Sequence, residues 1–186
     1  MLEEFYIAGF GGQGALSTGQ LLAHAGLAEG KFVSYVPFYG VQKRGGMANC
    51  GVSISDRQIS CPIVTEPTVL VAMNNSSLEK YENTVVSGGL VVINRSLVDV
   101  PVKRKDVRTV PVYANIEAEN LGDNRVANNI ILGALLELTG IVSIKAVENA
   151  LRIVLPERHH KMIPVNVRAL KRGVELAQEY KTTVKE

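Results

Sequence analysis

The chain has 186 residues with 46% hydrophobic and 20% charged residues and a formal net charge of +2. That length suits one domain with a proper core, and the composition is too apolar for a disordered protein. Charges of both signs are spread along the chain, without the basic clustering that a phosphate backbone demands, so nucleic acid is excluded as an expected partner.

Phe5-Tyr6-Ile7-Ala8 reads as a short buried strand, closed by Gly9-Phe10-Gly11-Gly12-Gln13-Gly14. Leu21, Leu22, Ala25 and Ala28 then fall at helical spacing and Gly30 stops the helix. Phe32 to Val36 resumes a strand, giving the look of a βαβ unit. A loop from Pro37 to Gly46 follows, too rich in special residues for a mere connector. Cys50, Val52 and Ile54 alternate with Asn49, Gly51 and Ser53, as in a half-exposed strand, and Ser55 to Gln58 looks like a turn before Ile59. This predicts a hairpin insertion there.

Val69 to Met73 is an apolar run suited to a central strand, and Ser76 with Glu79 can form a capping box for a helix through Tyr81. Leu90 to Ile93 and Val107 to Val112 add two strands. Helices are expected over Ile116–Asn120, Val126–Thr139, Ser143–Val154 and Val165–Tyr180. The prediction is therefore an α/β fold: a Rossmann-like, doubly wound, mostly parallel sheet with a hairpin insertion and a helical C-terminal part. Residues 1–180 form a single domain, and 181–186 a disordered tail.

Two cysteines, Cys50 and Cys61, lack the CxxC spacing of a redox, zinc or cluster site and read as free thiols in a reducing compartment. The acidic start Met1-Leu2-Glu3-Glu4 does not resemble a secretory signal, and the longest apolar stretch, Ile130 to Leu138, is interrupted by Glu137. A soluble cytoplasmic protein with no membrane partner is expected.

Gly9, Gly11 and Gly14 fit GxGxxG, placed after the first strand and at the start of a helix. Glycines let the main chain approach a ligand, and the free amides of a helix start attract anions. The dinucleotide fingerprint also wants an acid at the end of the second strand. Here that region reads Phe32-Val33-Ser34-Tyr35-Val36-Pro37, and the nearest acid, Glu29, precedes it. An NAD(P) oxidoreductase, a nucleotide-binding or coenzyme A-binding module without chemistry, and glycines that merely allow helix–strand packing all remain open on these residues. Arg44 could reach a phosphate or carboxylate with its planar fork, or be a solvated loop arginine. Tyr39 could stack on a partner or join the core. Asn128 and Asn129, on an apolar helix, need partners in the glycine turn or a strand end, and Asn74 and Asn75 follow a strand's carboxyl end, as ligand residues or helix starters. His159 and His160 adjoin Arg158 and Lys161, a surface turn hostile to a cation. No nucleophile elbow or triad accompanies His24, and no catalytic or metal-ligating residue is assigned.

Taken together, the strand followed by Gly9 to Gly14, the loop with Tyr39, Gly40, Arg44, Gly45 and Gly46, and the Gly88-Gly89 strand ending in Asn94 resemble the gamma subunit of the 2-oxoacid:ferredoxin oxidoreductases. The likeness continues through Leu121-Gly122, Arg125 to Asn128, Leu132 to Leu135, and Asn166, Ala169, Leu170 and Gly173, so it covers nearly the whole chain in order. It departs in Val64 to Thr68, where threonine stands in place of the aspartate of many relatives. The resemblance implies one subunit of an enzyme that turns a 2-oxo acid, leaning to 2-oxoglutarate or a branched-chain acid over pyruvate, into acyl-CoA, CO2 and reduced ferredoxin. Thiamine diphosphate, Mg and iron-sulfur clusters would sit on alpha, beta and delta partners, with coenzyme A as co-substrate and ferredoxin reached indirectly. This chain would bind no cofactor and have no activity alone. Its contacts with partner or coenzyme A would come from Gly9, Gly11, Gly12, Gln13, Gly14, Tyr39, Gly40, Arg44, Gly45 and Gly46.

Overall fold

The computed structural model describes residues 1–40 and 46–183. Six strands form one sheet: β1 (Leu2–Phe10), β2 (Phe32–Tyr39), β3 (Met47–Ser55), β4 (Val69–Ala72), β5 (Leu90–Asn94) and β6 (Arg108–Val112), in the order β2-β3-β1-β4-β5-β6. The pairings β1–β4, β4–β5 and β5–β6 are parallel, whereas β3 runs antiparallel to both β1 and β2. The helices are α1 (Ala15–Ala28), α2 (Asn75–Tyr81), α3 (Ala114–Asn120), α4 (Ala127–Thr139), α5 (Ile144–Val154) and α6 (Ile163–Thr183). The α/β class, the mixed and mainly parallel sheet and the helical C-terminal part agree with the sequence reading.

Strand alternation builds two cores. Val69, Val71, Leu90 and Val92 face the layer of α1, α4, α5 and α6, while Leu70, Ala72, Val91 and Ile93 meet Leu78 of α2 and Val98 on the other side. The carboxyl ends of β1, β4 and β5 therefore open between two covered faces, where parallel sheets place their ligands.

Several local expectations are corrected. The hairpin is β2–β3, across residues 40–46, and Ile59 lies outside any strand. The β1-α1-β2 stretch is no simple βαβ neighbour pair, because β3 inserts between its strands. Nor is β3 half exposed: its residues from Asn49 to Ser55 are buried. The cause is a non-local cover, since α1 seals one face at Cys50 while Val64 lies against Gly51 on the other and the Pro62 carbonyl accepts from Ser34 Oγ. Helix α2 is capped by Asn74, whose Oδ1 accepts from Ser77 N at 2.9 Å, and the side chain of Ser76 makes no such cap. Residues 181–183, expected in a disordered tail, continue α6, with Lys181 Nζ 2.8 Å from Glu137 Oε1 on α4.

Helices α4 and α6 touch backbone to backbone. A Cβ on Gly133 would lie 1.9 Å from the Leu170 carbonyl oxygen, and one on Gly173 1.9 Å from that of Ile130. Only glycine fits at this crossing. No helix among the described residues is long and apolar enough to cross a membrane.

Candidate functional site

β1 ends in a turn whose shape is held from three sides. Gly12 and Gly14 adopt positive φ of 101° and 82°, which side chains rarely tolerate. The Gln13 side chain folds inward: its Oε1 accepts from Phe10 N at 2.7 Å and from Asn74 Nδ2 at 2.8 Å, and its Nε2 donates to the Met73 carbonyl at 3.3 Å. Gln13 thus joins the end of β1 to the end of β4. A Cβ on Gly9 would stand 3.0 Å from Gln13 Oε1 and 3.1 Å from Met73 Cβ, so its bareness makes room for that clasp. On the third side Gly9 N donates to Asn49 Oδ1 of β3 at 3.1 Å, and Asn49 Nδ2 donates to the Tyr81 hydroxyl at 2.9 Å.

The second motif comes alongside the first. Gly11 N donates to the Gly46 carbonyl at 2.9 Å, while Gly40 N donates to the Met47 carbonyl at 2.8 Å and closes the strand ends. Gly11, Gly12 and Gly40 are exposed, as is Tyr39 at 71%. Of the ten residues expected to contact a partner or coenzyme A, Gly9, Gly11, Gly12, Gln13, Gly14 and Gly46 meet around the turn, with Tyr39 and Gly40 beside them. Arg44 and Gly45 lie outside the described residues.

Two recesses flank the turn. One, of about 240 Å³, is walled by Tyr6, Phe38, Tyr39, Gly40, Met47, Asn49 and Tyr81. The Tyr6 ring lies 4.6 Å from that of Tyr81 and stacks at 6.3 Å on Phe38. Burial, then the hydrogen bond to Tyr81, pushes the Tyr6 phenol well above its usual range, so it stays protonated. Lys80 at the rim lies 5.2 Å from the centre of the Tyr81 ring, within cation–π range.

The other recess, of about 110 Å³, opens at the ends of β4 and β5 and is lined by Gly12, Gln13, Met73, Asn94, Leu97, Asn115, Asn124, Arg125, Ala127 and Asn128. Half of that lining is carboxamide: Gln13, Asn94, Asn115, Asn124 and Asn128. Arg125, the one charged residue in this lining, is held by Asp123 through Nε at 2.9 Å and Nη2 at 2.8 Å. Among the described residues, such a lining equips the crevice to bind by hydrogen bonding, with no side chain placed to exchange a proton near neutrality. Helix α1 starts at its edge from Gly14, with no side-chain cap among the described residues, leaving first-turn amides directed outward.

Asn128 packs on Gly14, where a Cβ would come within 2.7 Å of its side chain, and its Nδ2 reaches Thr18 Oγ1 at 3.5 Å. Asn129 instead bonds Asn166 of α6, away from the turn. Glu29 is occupied elsewhere, accepting from Ser143 N at 2.8 Å, and β3 fills the place beside β1 from which a ribose-binding acid would act. His160 contacts the Leu155 carbonyl at 2.9 Å, and His159 is exposed. Sequence reasoning passed over Asn49, Asn94, Asn115, Tyr6 and Tyr81 as site residues. Asn49 and Asn94 carried a signal, each being a carboxamide within an apolar strand.

The model of the pyruvate ferredoxin/flavodoxin oxidoreductase family matches residues 4–176. The ketoisovalerate oxidoreductase subunit VorA of Methanothermobacter marburgensis is 37% identical over 175 residues, covering 93% of this chain and 36% of that protein. This chain therefore spans about a third of that relative's length. The 2-oxoglutarate synthase subunit KorC of the same organism is 34% identical over 186 residues, covering 96% of this chain and 98% of that one. Among solved structures, the gamma subunit of keto/oxoacid ferredoxin oxidoreductase from Geobacter sulfurreducens superposes with a TM-score of 0.80 at 29% identity, over 95% of this chain and 99% of that one. The 2-oxoglutarate:ferredoxin oxidoreductase of Magnetococcus marinus, with 2-oxoglutarate, coenzyme A and succinyl-CoA bound, gives 0.86 at 25% identity, over 96% of this chain and 31% of that one. With the family model matching residues 4–176 and KorC similar along nearly the whole of both chains, the chain belongs to the pyruvate ferredoxin/flavodoxin oxidoreductase family, and its fold is that of a gamma subunit.

Proposed function

We propose that this chain works as the gamma component of a multi-subunit 2-oxoacid:ferredoxin oxidoreductase, assisting the coenzyme A-dependent oxidative decarboxylation of a 2-oxo acid to acyl-CoA, CO2 and reduced ferredoxin. The observation that carries this is end-to-end similarity to KorC, which is itself named as a subunit. The 2-oxo acid is 2-oxoglutarate or a branched-chain acid ahead of pyruvate, in line with the names KorC and VorA. Thiamine diphosphate supplies the electron sink and iron-sulfur clusters the electron path, both on alpha, beta and delta-type partners in the cytoplasm.

In this reading the chain is inactive alone and contributes a rigid wall. Gly11 and Gly12, exposed on the turn, together with Tyr39, Gly40 and Gly46, face the partner subunit or the approaching coenzyme A, and Arg44 and Gly45, outside the described residues, join them in that contact. Gly9, Gln13 and Gly14 hold the wall's shape. The test is to purify the intact complex, assay coenzyme A-dependent dye reduction with each 2-oxo acid, and repeat after omitting this chain or replacing it with Arg44→Ala. Loss on omission and a raised KM for coenzyme A with Arg44→Ala are expected. Undiminished turnover without the chain, or its isolation from the native source without such partners, sinks the proposal.

A further inference from the structure

At the end of the sheet opposite the glycine turn lies a recess of about 300 Å³, whose lining includes Glu3, Thr68, Val69, Leu90, Arg108 and Leu138. It forms where β1, β4, β5 and β6 begin. Side-chain alternation puts Glu3 on the face of Phe5 and Arg108 on that of Val110, with Val69 and Leu90 on the strands between them. The last turn of α4, at Leu138 and Thr139, borders this row.

Two opposite charges thus line one recess without meeting. Among the described residues neither Glu3 nor Arg108 has an ion-pair partner, so the two stand more than 4.0 Å apart. Their strands are separated by β4 and β5, three strand spacings or about 14 Å. Glu3 is held in place, because its Oε2 accepts from Thr68 Oγ1 at 2.7 Å while that hydroxyl accepts from Glu4 N at 3.0 Å. Its other oxygen accepts from no donor among the described residues. The carboxyl end of the 13-residue α4, whose dipole favours a cation, adjoins the same recess. Arg108 is exposed, and its planar fork offers paired donors to a carboxylate. Between the charges the side chains are aliphatic: Val69, Val86, Leu90 and Leu138.

A ligand that meets this arrangement carries a cation, an anion and an aliphatic body. A carboxylate without an amine would face the Glu3 charge, and an amine without a carboxylate the Arg108 charge, each a like-charge contact. We infer that the recess binds a free α-amino acid with an aliphatic side chain, its ammonium at Glu3 and the end of α4, its carboxylate at Arg108 and its side chain on Val69, Leu90 and Leu138. The site lies at the far ends of the strands from the glycine turn and does not rest on the reading above.

The full chain is titrated calorimetrically with leucine, glycine, isocaproate and isoamylamine, alongside Glu3→Gln and Arg108→Gln. Saturable leucine binding is expected, weaker for glycine and for the two analogues that lack one charge. Each variant should weaken it about ten-fold or more, the worth of a hydrogen bond to a charged group. Glu3→Gln keeps an acceptor for Thr68, melting temperatures monitor folding, and the analogue series on the unaltered chain decides the matter if a variant does not fold. Absence of leucine heat, isocaproate, isoamylamine or glycine binding as tightly as leucine, or unchanged affinity in either folded variant overturns the inference.

Discussion

Gln13 Oε1 accepts a 2.8 Å hydrogen bond from Asn74 Nδ2, so one of the ten residues expected at a partner or coenzyme A is spent joining two strand ends. Asn74 uses its own oxygen to cap α2. Removing Gln13 strands the buried Asn74, and removing Asn74 strands the half-buried Gln13. We expect Gln13→Ala and Asn74→Ala each to destabilise the fold by about 1–2 kcal/mol, with a double-mutant cycle showing coupling, since the two share one bond. Urea midpoints at constant m-value give the answer, and strictly additive losses count against the clasp.

The α4–α6 crossing predicts a sharp contrast among glycines. Gly133→Ala or Gly173→Ala drives a methyl into a carbonyl oxygen 1.9 Å away and should cost about 3 kcal/mol or more. Gly30→Ala meets no atom within 4 Å and pays only for its φ of +73°, about 1–2 kcal/mol. Thermal unfolding of the three variants ranks them, and equal shifts contradict the backbone contact.

The two thiols should react at very different rates. Burial pushes the Cys50 thiol up to about 12, while Cys61 is exposed. Since the thiolate is the nucleophile, an aromatic disulfide reagent near pH 8 should titrate Cys61 promptly and Cys50 only on unfolding. Prompt reaction of Cys61→Ser protein disproves the assignment.

Asp106 sets an acid limit. Its hydrogen bond to Arg104 Nε, 2.8 Å long, holds the carboxyl well below the usual carboxylate range. A folded value below the unfolded one means the unfolded chain binds the proton more readily. The stabilisation is complete above the ordinary value near 4 and fades as pH falls through the folded value. Asp106→Asn should therefore lower stability at pH 7 slightly and flatten its decline below about pH 4. Parallel melting curves for both proteins across pH 2–7 test this, and an unchanged acid slope refutes it.

How far the sequence carried depends on how local each cause is. β1, β4 and β5 were legible as apolar runs bounded by turn residues, and α1 and α4 from their spacing and the glycines after them. The hidden outer face of β3 was not, because Val64 covers Gly51 from a segment without regular structure. The cap of α2 was misassigned to Ser76 because Asn74 and Ser76 are equally good chemical candidates, and tertiary bonding to Gln13 selects between them. At the site, the pairing of Gly11 with Gly46 matches two motifs already conspicuous in the sequence. That the buried Asn94 Oδ1 has no hydrogen-bond partner among the described residues was invisible there, since an unmet bond is a property of surroundings.

The insertion of β3 also bears on how the chain comes together. β1, β2 and β3 are the first three strands in sequence and neighbours in the sheet, so residues 1–55 close their own pairings before β4 is needed. The parallel strands β4, β5 and β6 lie on the other side of β1. Short-range pairing precedes long-range pairing when loop closure governs the rate, so amides of β2 and β3 should gain protection ahead of those of β5 and β6 in pulse-labelled hydrogen exchange. Simultaneous protection would mean that the sheet assembles as one cooperative unit. Either way β1 is the joint at which the antiparallel half and the parallel half of the sheet become one molecule.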